Sequence, residues 1–339
     1  MIPGYRRNIL ACCIAWCSFS CGSDQFRIDT TGVDVAPVKI SRFDRMLFSM
    51  DSVSYSGSVE TIRNRYGAFF DGFAQQIIYN KGPEDSLFPG VLMTFISDPG
   101  MRQLYDSVQA HYPDLTSLEM ELTEVFKRCR YFFPKAHLPG VTACVTGLNL
   151  PMSFSDSLIG IGLDMYLGKG SGIYDLAQLE QYRRENMNQG NIIPDFIRAW
   201  AMSTFERKEK KTDVLSEIIF NGKILYLTEA LAPGLHDTIR IGYTNAELEW
   251  CKKNEENIWG FLVQDEKLFS TEDEKIAQFN NEGPFTPGFN KESPSRTGRW
   301  IGWMIVRKFM QENPEITLEQ LMDEHDPNRI LKDSHYKPS

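Results

Sequence analysis

Residues 158–164 read LIGIGLD, a short apolar segment with glycine at positions 160 and 162. A second segment, VTACVT at residues 141–146, is equally rich in apolar and β-branched residues. Short runs of this kind, bounded by glycine and proline, are typical of buried strands. Gly160 and Gly162 would also let their strand approach a helix closely. The two segments therefore predict a small sheet inside a chain that is otherwise helical in pattern.

The sequence around these strands has the periodicity of amphipathic helices. Apolar residues recur at steps of three and four over residues 58–79, and a similar pattern over 98–112 ends at Pro113. Alternation over residues 33–40 predicts one further strand. Later in the chain, long helices are predicted over residues 193–206, 212–231, 245–266 and 296–312.

Four helix starts are marked by capping boxes. In this motif a threonine hydroxyl caps the amide three residues on, and the acidic or amide side chain at that position reaches back. The pairs are Thr116 with Glu119, Thr244 with Glu247, Thr271 with Glu274, and Thr317 with Gln320. The predicted fold class is therefore α+β and mainly α-helical, with a small β-sheet packed by long helices.

The N-terminus has the layout of an export signal. Arg6 and Arg7 precede an apolar stretch of roughly 10 residues, and no acidic residue occurs before Asp24. That stretch is too short to cross a bilayer as a helix. We predict a signal peptide over residues 1–20, with a non-lipidated signal or a short anchor as the alternatives.

The sequence SFSC at residues 18–21 resembles a bacterial lipobox, whose cysteine receives acyl chains and becomes the new N-terminus. Ser18 stands where leucine is usual, whereas Cys12 has a better local match but almost no apolar stretch before it. Cys21 is therefore the predicted lipidation site, and several acyl chains would make the attachment stable. We expect a lipid-anchored leader over residues 21–57 and one domain over residues 58–339, at the cell envelope.

Composition limits the partners. The net charge of −9 argues against a nucleic-acid partner, which requires a basic face. No segment after the signal approaches 18 uninterrupted apolar residues, so the lipid on Cys21 is the expected membrane attachment. Beyond Cys21 the chain contains Cys129, Cys144 and Cys251, which are compatible with one disulfide or with none.

Several catalytic motifs are missing from the sequence. There is no phosphate-binding P-loop and no Gly-x-Ser-x-Gly nucleophile elbow. The five histidines include no pair four residues apart, so the helical zinc site of a metalloprotease cannot form. Acidic pairs such as Glu119 with Glu121 and Asp323 with Glu324 are typical of solvated helix faces. We therefore predict no catalytic residue, no metal site and no cofactor.

Five sequence blocks together resemble the gliding-motility lipoprotein GldB family of Bacteroidetes. This resemblance implies an envelope lipoprotein associated with gliding motility or the linked secretion machinery, with other envelope proteins as partners. The blocks are IGIGLDMYLG at 159–168, IIPDFIRAW at 192–200, EIIFNGKILY at 217–226, RTGRWIGWMIV at 296–306 and SHYKP at 334–338.

The same block order is similar to predicted zinc peptidases of the zincin type. In those proteins an HExxH helix follows the sheet, and a later helix supplies a third ligand from a Glu-Gly turn. Here the helix over residues 195–205 has no histidine, and Asn221 precedes Gly222 where the ligand carboxylate would stand. The resemblance therefore implies a zincin-like domain from which the metal has been lost.

Six residues are predicted to line a groove inherited from the peptidase-like fold or to bind a partner. Arginine beside tryptophan suits carboxylate binding, although an intramolecular partner is the alternative for Arg296, Arg299 and Arg307. Asp164 follows a strand, where it either caps a loop or binds a ligand. The set is Asp164, Tyr166, Asn221, Arg296, Arg299 and Trp300.

Three functions are compatible with these patterns. The first is a non-catalytic scaffold or interaction subunit, whose groove holds an extended peptide without cutting it. The second is an envelope hydrolase that acts on peptides or glycans through carboxylates alone. The third is a lipoprotein that binds a small ligand or a metal.

Overall fold

The computed structural model describes residues 26–50, 55–155, 157–205, 207 and 212–338. The predicted signal peptide and Cys21 lie outside these residues. The described chain contains a mixed sheet of four strands in the order β1-β2-β4-β3, in which only β3 runs antiparallel to its neighbour. The strands are β1 Ile40–Arg42, β2 Gly140–Cys144, β3 Met152–Phe154 and β4 Leu158–Gly162.

Glycine is required in β4 because neighbouring groups approach its backbone closely. A Cβ atom on Gly160 would lie 2.5 Å from the Phe69 ring, and one on Gly162 would lie 2.3 Å from the carbonyl oxygen of Leu150. The prediction that these glycines allow close packing against a helix is confirmed at Gly160. The two predicted sheet strands are confirmed as β2 and β4.

The rest of the described chain is mostly helical, which confirms the fold class at the level of a mainly helical α+β protein. The helices are α1 Phe43–Phe48, α2 Tyr55–Tyr66, α3 Ala68–Phe73, α4 Phe88–Ser97, α5 Pro99–His111, α6 Thr116–Phe132, α7 Gly172–Leu176, α8 Gln181–Arg184, α9 Ile192–Thr204, α10 Val214–Leu231, α11 Asp237–Ile241, α12 Asn245–Lys253, α13 Glu255–Val263, α14 Asp273–Asn280, α15 Thr297–Glu312, α16 Leu318–Asp323 and α17 Pro327–Ser334.

Two predicted helices are divided in the structure. The helix over 58–79 is split at Gly67, whose φ of +49° suits glycine, and it ends in a π-helical turn at Ala74–Ile78. The helix over 245–266 is interrupted at Asn254, between α12 and α13. The strand expected over 33–40 was wrong except at its last residue, because Ile40 is where β1 begins.

The four predicted capping boxes have different outcomes. Thr244 and Thr317 cap α12 and α16 as predicted. The boxes at Thr116 and Thr271 were wrong. The Glu119 carboxylate instead accepts from the backbone N–H of Ile40, 3.0 Å away, and α14 begins two residues after Thr271.

The described residues before α2 pack onto the body of the protein. Phe26 makes edge-to-face contacts with Phe132 and Tyr226. Arg128 donates to the carbonyl oxygens of Phe26 and Ala230, which ties this segment to the C-terminal end of α10. Residues 26–50, which lie within the expected leader over residues 21–57, contribute β1, α1 and buried side chains to this body.

Helix α10 is the central element, and every one of its residues except Glu217 is buried. It packs against α15 at backbone distance, because a Cβ on Gly222 would lie 2.2 Å from the carbonyl oxygen of Gly302. None of the described helices is both long enough and apolar enough to cross a membrane. Cys129, Cys144 and Cys251 are all buried free thiols, so the structure contains no disulfide among them.

Candidate functional site

A cavity of about 260 Å³ lies beside the central helix α10. Its walls come from α9, α10, α11, the N-terminal turn of α15 and the segment that follows α14. The lining residues are mostly polar, and they include four arginines and two carboxylates. They are Pro151, Asn186, Asn191, Pro194, Asp195, Arg198, Ile224, Leu225, Thr228, Ile239, Arg240, Ile241, Gly242, Glu282, Arg296 and Arg299.

Three of these arginines form a cationic cluster, which consists of Arg198, Arg296 and Arg299. The Arg198 guanidinium donates to the Asn221 side-chain oxygen, 2.8 Å away. The Arg296 guanidinium donates to the carbonyl oxygen of Gly242 at 2.8 Å and lies over the ring of Tyr243. Both direct partners are uncharged, so neither contact neutralises the cluster.

Arg299 is the least satisfied member of the cluster. Across the described residues its side chain has no hydrogen bond, and no carboxylate oxygen lies within 4 Å of it. The Nε atoms of Arg296 and Arg299 are both buried and lack a hydrogen-bond acceptor among these residues. A buried donor without an acceptor is costly, and this is why such atoms are rare in folded proteins.

Burial and mutual repulsion act on the charges of the cluster. Burial lowers the pKa of Arg299 well below its ordinary value, and the neighbouring cations Arg198 and Arg296 lower it further. Burial also lowers the pKa of Arg198, while Asp195 opposes that effect. A guanidinium stays protonated in proteins even so, and the cluster therefore carries three positive charges.

Two carboxyl groups face the cluster. Asp195 accepts a hydrogen bond of 2.8 Å from the Tyr166 hydroxyl, and burial raises its pKa to about 6. Glu282 is half-exposed, and its carboxylate oxygen lies 3.7 Å from the nearest nitrogen of Arg296. The fourth arginine of the lining, Arg240, is paired with Asp237 outside the cluster.

Four of the six predicted site residues converge on this cavity. Arg296 and Arg299 line it directly, whereas Tyr166 and Asn221 lie behind it and hold Asp195 and Arg198 in place. Trp300 points elsewhere and donates to Glu255 at 3.2 Å.

Asp164 has a separate role in the loop that follows β2. Its carboxylate accepts from the backbone N–H groups of Thr146 and Leu148 at 2.9 and 2.7 Å. Burial raises its pKa, and these hydrogen bonds oppose the rise. Asp164 therefore caps a loop, which is the first of the two roles that the sequence allowed.

Sequence reasoning missed Asp195, Arg198 and Glu282. The apolar positions of α9 were correctly assigned to the core, since Ile193, Phe196 and Trp200 are buried. An acid and an arginine three residues apart on such a helix were the available signal. Arg307 has the intramolecular partners considered for it, because it pairs with Glu229 and Asp237 at 2.7 and 3.1 Å.

The donor set of the cavity does not suit a metal ion. No group of three His, Cys, Asp or Glu side chains in metal-binding proximity occurs in the part of the chain that the structure describes. Asp195 is the one carboxylate on α9 at this point, and the adjacent Arg198 repels a cation. The arrangement instead presents guanidinium N–H groups, which bind carboxylates and phosphates.

A protein-family model described as gliding motility protein GldB matches residues 23–338 of the chain. The match spans all four strands, all seventeen helices described above and the whole lining of the cavity. No curated protein matches the chain significantly, and no solved structure does so either.

Proposed function

We propose that this chain, which belongs to the family of the gliding motility protein GldB, acts as a non-catalytic scaffold or interaction subunit at the cell envelope. Family membership implies a gliding motility-associated lipoprotein. Among the described residues there is no membrane-spanning helix, which is consistent with attachment through a lipid. In this proposal Cys21 carries the lipid, and envelope proteins are the partners.

The contact between Arg198 and Asn221 is the observation that carries the proposal. It joins α9 to α10 through a hydrogen bond of 2.8 Å. These are the two helices that would hold a catalytic metal if the domain is related to zincin-type peptidases. In the proposed scaffold the guanidinium of Arg198 is the cationic group that lies between these two helices. Because guanidinium groups have donors and no lone pair for a metal, such a site would bind ligands without activating water.

The test is to purify the full-length protein from its native envelope in mild detergent. Elemental analysis should find zinc far below one equivalent per chain, and chemical crosslinking before purification should give a defined complex with other envelope proteins. One firmly bound zinc per chain would contradict the metal-free scaffold. A protein that stays uncrosslinked and monomeric at native abundance would contradict the interaction role.

A carboxylate-only hydrolase is the second candidate, and Asp195 is the observation in its favour. A carboxyl with a pKa of about 6 can donate a proton near neutral pH, as a general acid does. Incubation with peptides and cell-wall glycan fragments tests this candidate. Turnover that is present in the wild type and abolished by Asp195→Asn would establish it, and the absence of turnover would remove it.

A further inference from the structure

The cavity beside α10 carries an excess of positive charge. The cluster of Arg198, Arg296 and Arg299 faces Asp195 and Glu282, and the fourth arginine, Arg240, is neutralised by Asp237, so these groups together carry one positive unit when all the acids are ionised. Neither Arg198 nor Arg299 has a carboxylate oxygen within 4 Å among the described residues. A cavity with an excess of one positive charge is complementary to an anion that carries one negative charge.

The unsatisfied donors point to the same kind of ligand. The Arg296 side chain is only 8% exposed, yet its Nε has no acceptor among the described residues, and the same is true of the Nε of Arg299. The flat fork of a guanidinium matches the two oxygens of a carboxylate. An anion in the cavity would give these donors acceptors and would reduce the repulsion within the cluster.

The two acids of the cavity favour a carboxylate over a phosphate. Phosphate monoesters carry between one and a half and two negative charges near pH 7, about twice the excess that the cavity offers. Asp195 and Glu282 would repel the additional charge. A carboxylate matches the excess of one positive charge, and the lining also contains the polar side chains of Asn186 and Asn191, which can bind neighbouring groups of the ligand.

A second cavity adjoins the first, and together they indicate that the ligand is extended. The second cavity has a volume of about 490 Å³, and the two cavities share Asn186, Gly242 and Arg296 in their walls. The walls of this outer cavity include the neutral polar residues Tyr182, Ser293 and Ser295, together with the charged residues Glu185, Glu247, Glu292 and Lys291. A ligand with its anionic end at Arg299 can therefore extend past Arg296 into a polar space that suits a peptide backbone.

We infer that the Arg198–Arg296–Arg299 cluster binds a terminal carboxylate of an extended ligand, namely the C-terminal end of a peptide. The inference rests on the proposed non-catalytic role, because an enzyme would release such an end as a product. The bound carboxylate lies in the inner cavity, and the preceding residues of the peptide lie in the outer cavity.

Calorimetric titration of the full-length protein in detergent tests the inference. Four probes are compared: N-acetyl-alanyl-alanine, its C-terminal amide, acetate and inorganic phosphate. The acid should bind at least about 30-fold more tightly than the amide, because the amide leaves the buried cations without an anionic partner. Equal affinity of acid and amide would overturn the inference, as would tighter binding of phosphate. Acetate as tight as the dipeptide would overturn the extended ligand.

Three variants locate the binding. Arg299→Gln should weaken binding of the acid at least about 30-fold. Arg329→Gln is the matched control, since Arg329 is an exposed arginine on α17, and it should have no effect. Glu282→Gln removes a repelling charge from a half-exposed position and should tighten binding. Equal affinities of the Arg299 and Arg329 variants, or weaker binding by the Glu282 variant, would contradict the assignment.

Two further measurements separate the possible failures. Thermal denaturation should show that Arg299→Gln melts no lower than the wild type, because the change removes a partly buried charge that has no ion-pair partner among the described residues. If Arg299→Gln melts lower, its weaker binding could come from lost stability. The affinity of Glu282→Gln for the acid then tests the carboxylate site in its place. Mass spectrometry of the probe after incubation should recover it intact. A hydrolysed probe would refute the non-catalytic role, whereas an intact but unbound probe would refute only the carboxylate site.

Discussion

Asp195 links the cavity to the pH of the surroundings. Burial raises the pKa of its carboxyl from 3.8 to about 6, even though Tyr166 and Arg198 act in the opposite direction. Between these two values the folded protein holds a proton that the unfolded chain has already released. The stability that this proton contributes is fully present below pH 3.8, and it is lost as the pH rises through 6.

Replacing Asp195 by asparagine should remove this pH dependence. As the pH rises from 4 to 7, the unfolding free energy of the wild type should fall relative to that of Asp195→Asn. The change should be at most about 3 kcal/mol, since one unit of pKa shift is worth about 1.4 kcal/mol. Urea denaturation at a series of pH values measures it. Asp34→Asn, at an exposed position, is the control, and wild-type and Asp195→Asn profiles that run parallel would contradict the expected result.

Only some of the residues that line the cavity could be predicted from the sequence. Arg296 and Arg299 were selected because arginine near tryptophan suits carboxylate binding, but the tryptophan beside them, Trp300, bonds elsewhere. Asp195 and Arg198 lie on α9, a helix whose apolar face belongs to the core. About a hundred residues separate them from Arg299 in the chain, and no periodicity in either segment indicates that α9 and α15 line the same cavity. The cluster is thus a product of tertiary packing.

Packing between α10 and α15 depends on glycines that bring the two backbones together. A Cβ on Gly302 would lie 1.7 Å from the carbonyl oxygen of Ile218, far inside van der Waals contact. Helix α15 carries Arg299, and α10 carries Asn221, so the spacing of these helices also fixes the geometry of the arginine cluster. A change in the distance between the two helices would therefore alter both the stability of the protein and the geometry of the arginine cluster.

The substitution Gly302→Ala should destabilise the protein by about 3 kcal/mol or more, because the two helices would have to move apart. Gly260→Ala is the matched control, since Gly260 lies within α13 and a Cβ there would meet nothing within 4 Å. The control should be neutral or stabilising by up to about 1 kcal/mol. Both values come from chemical denaturation, and similar losses in the two variants would refute the close-packing argument.

Elements with a local signal were predictable, and those decided by distant contacts were not. The strands β2 and β4 follow from their apolar, β-branched composition, and α12 and α16 follow from their capping boxes. The box at Thr116 failed because Glu119 is recruited by Ile40, which lies 79 positions earlier in the chain. Strand β3 has three residues and exists through its pairing with β4, so its own sequence carries too little signal.

At the scale of the whole molecule, the position of Phe26 sets the distance to the membrane. Phe26 is buried against α6 and α10. With the lipid on Cys21, as proposed, five residue steps separate the acylated end from the folded body. A fully extended chain covers at most about 3.6 Å per residue, so the gap is no more than about 18 Å. The domain would therefore stand close to the lipid surface.

The variant Cys21→Ala should be released from the envelope while its fold is unchanged. Fractionation after a high-salt wash, together with labelling by a palmitate analogue, measures the attachment, and circular dichroism measures the fold. Cys12→Ala is the matched control and should stay lipidated and membrane-bound. A Cys21→Ala protein that stays with the membrane would show that the anchor has been assigned to the wrong position.

If Cys21 carries the lipid, as proposed, the contacts of Arg128 connect the anchored end of the chain to the helix beside the cavity. A pull on the lipidated end would reach Phe26 first, and from there Arg128 would pass the load to Ala230 at the end of α10. The same helix holds Arg198 through Asn221. We therefore expect tension on the anchor to loosen the arginine cluster before the core yields. Optical-tweezer pulling between residue 22 and the C-terminus would show this as an early, small extension that a bound peptide suppresses.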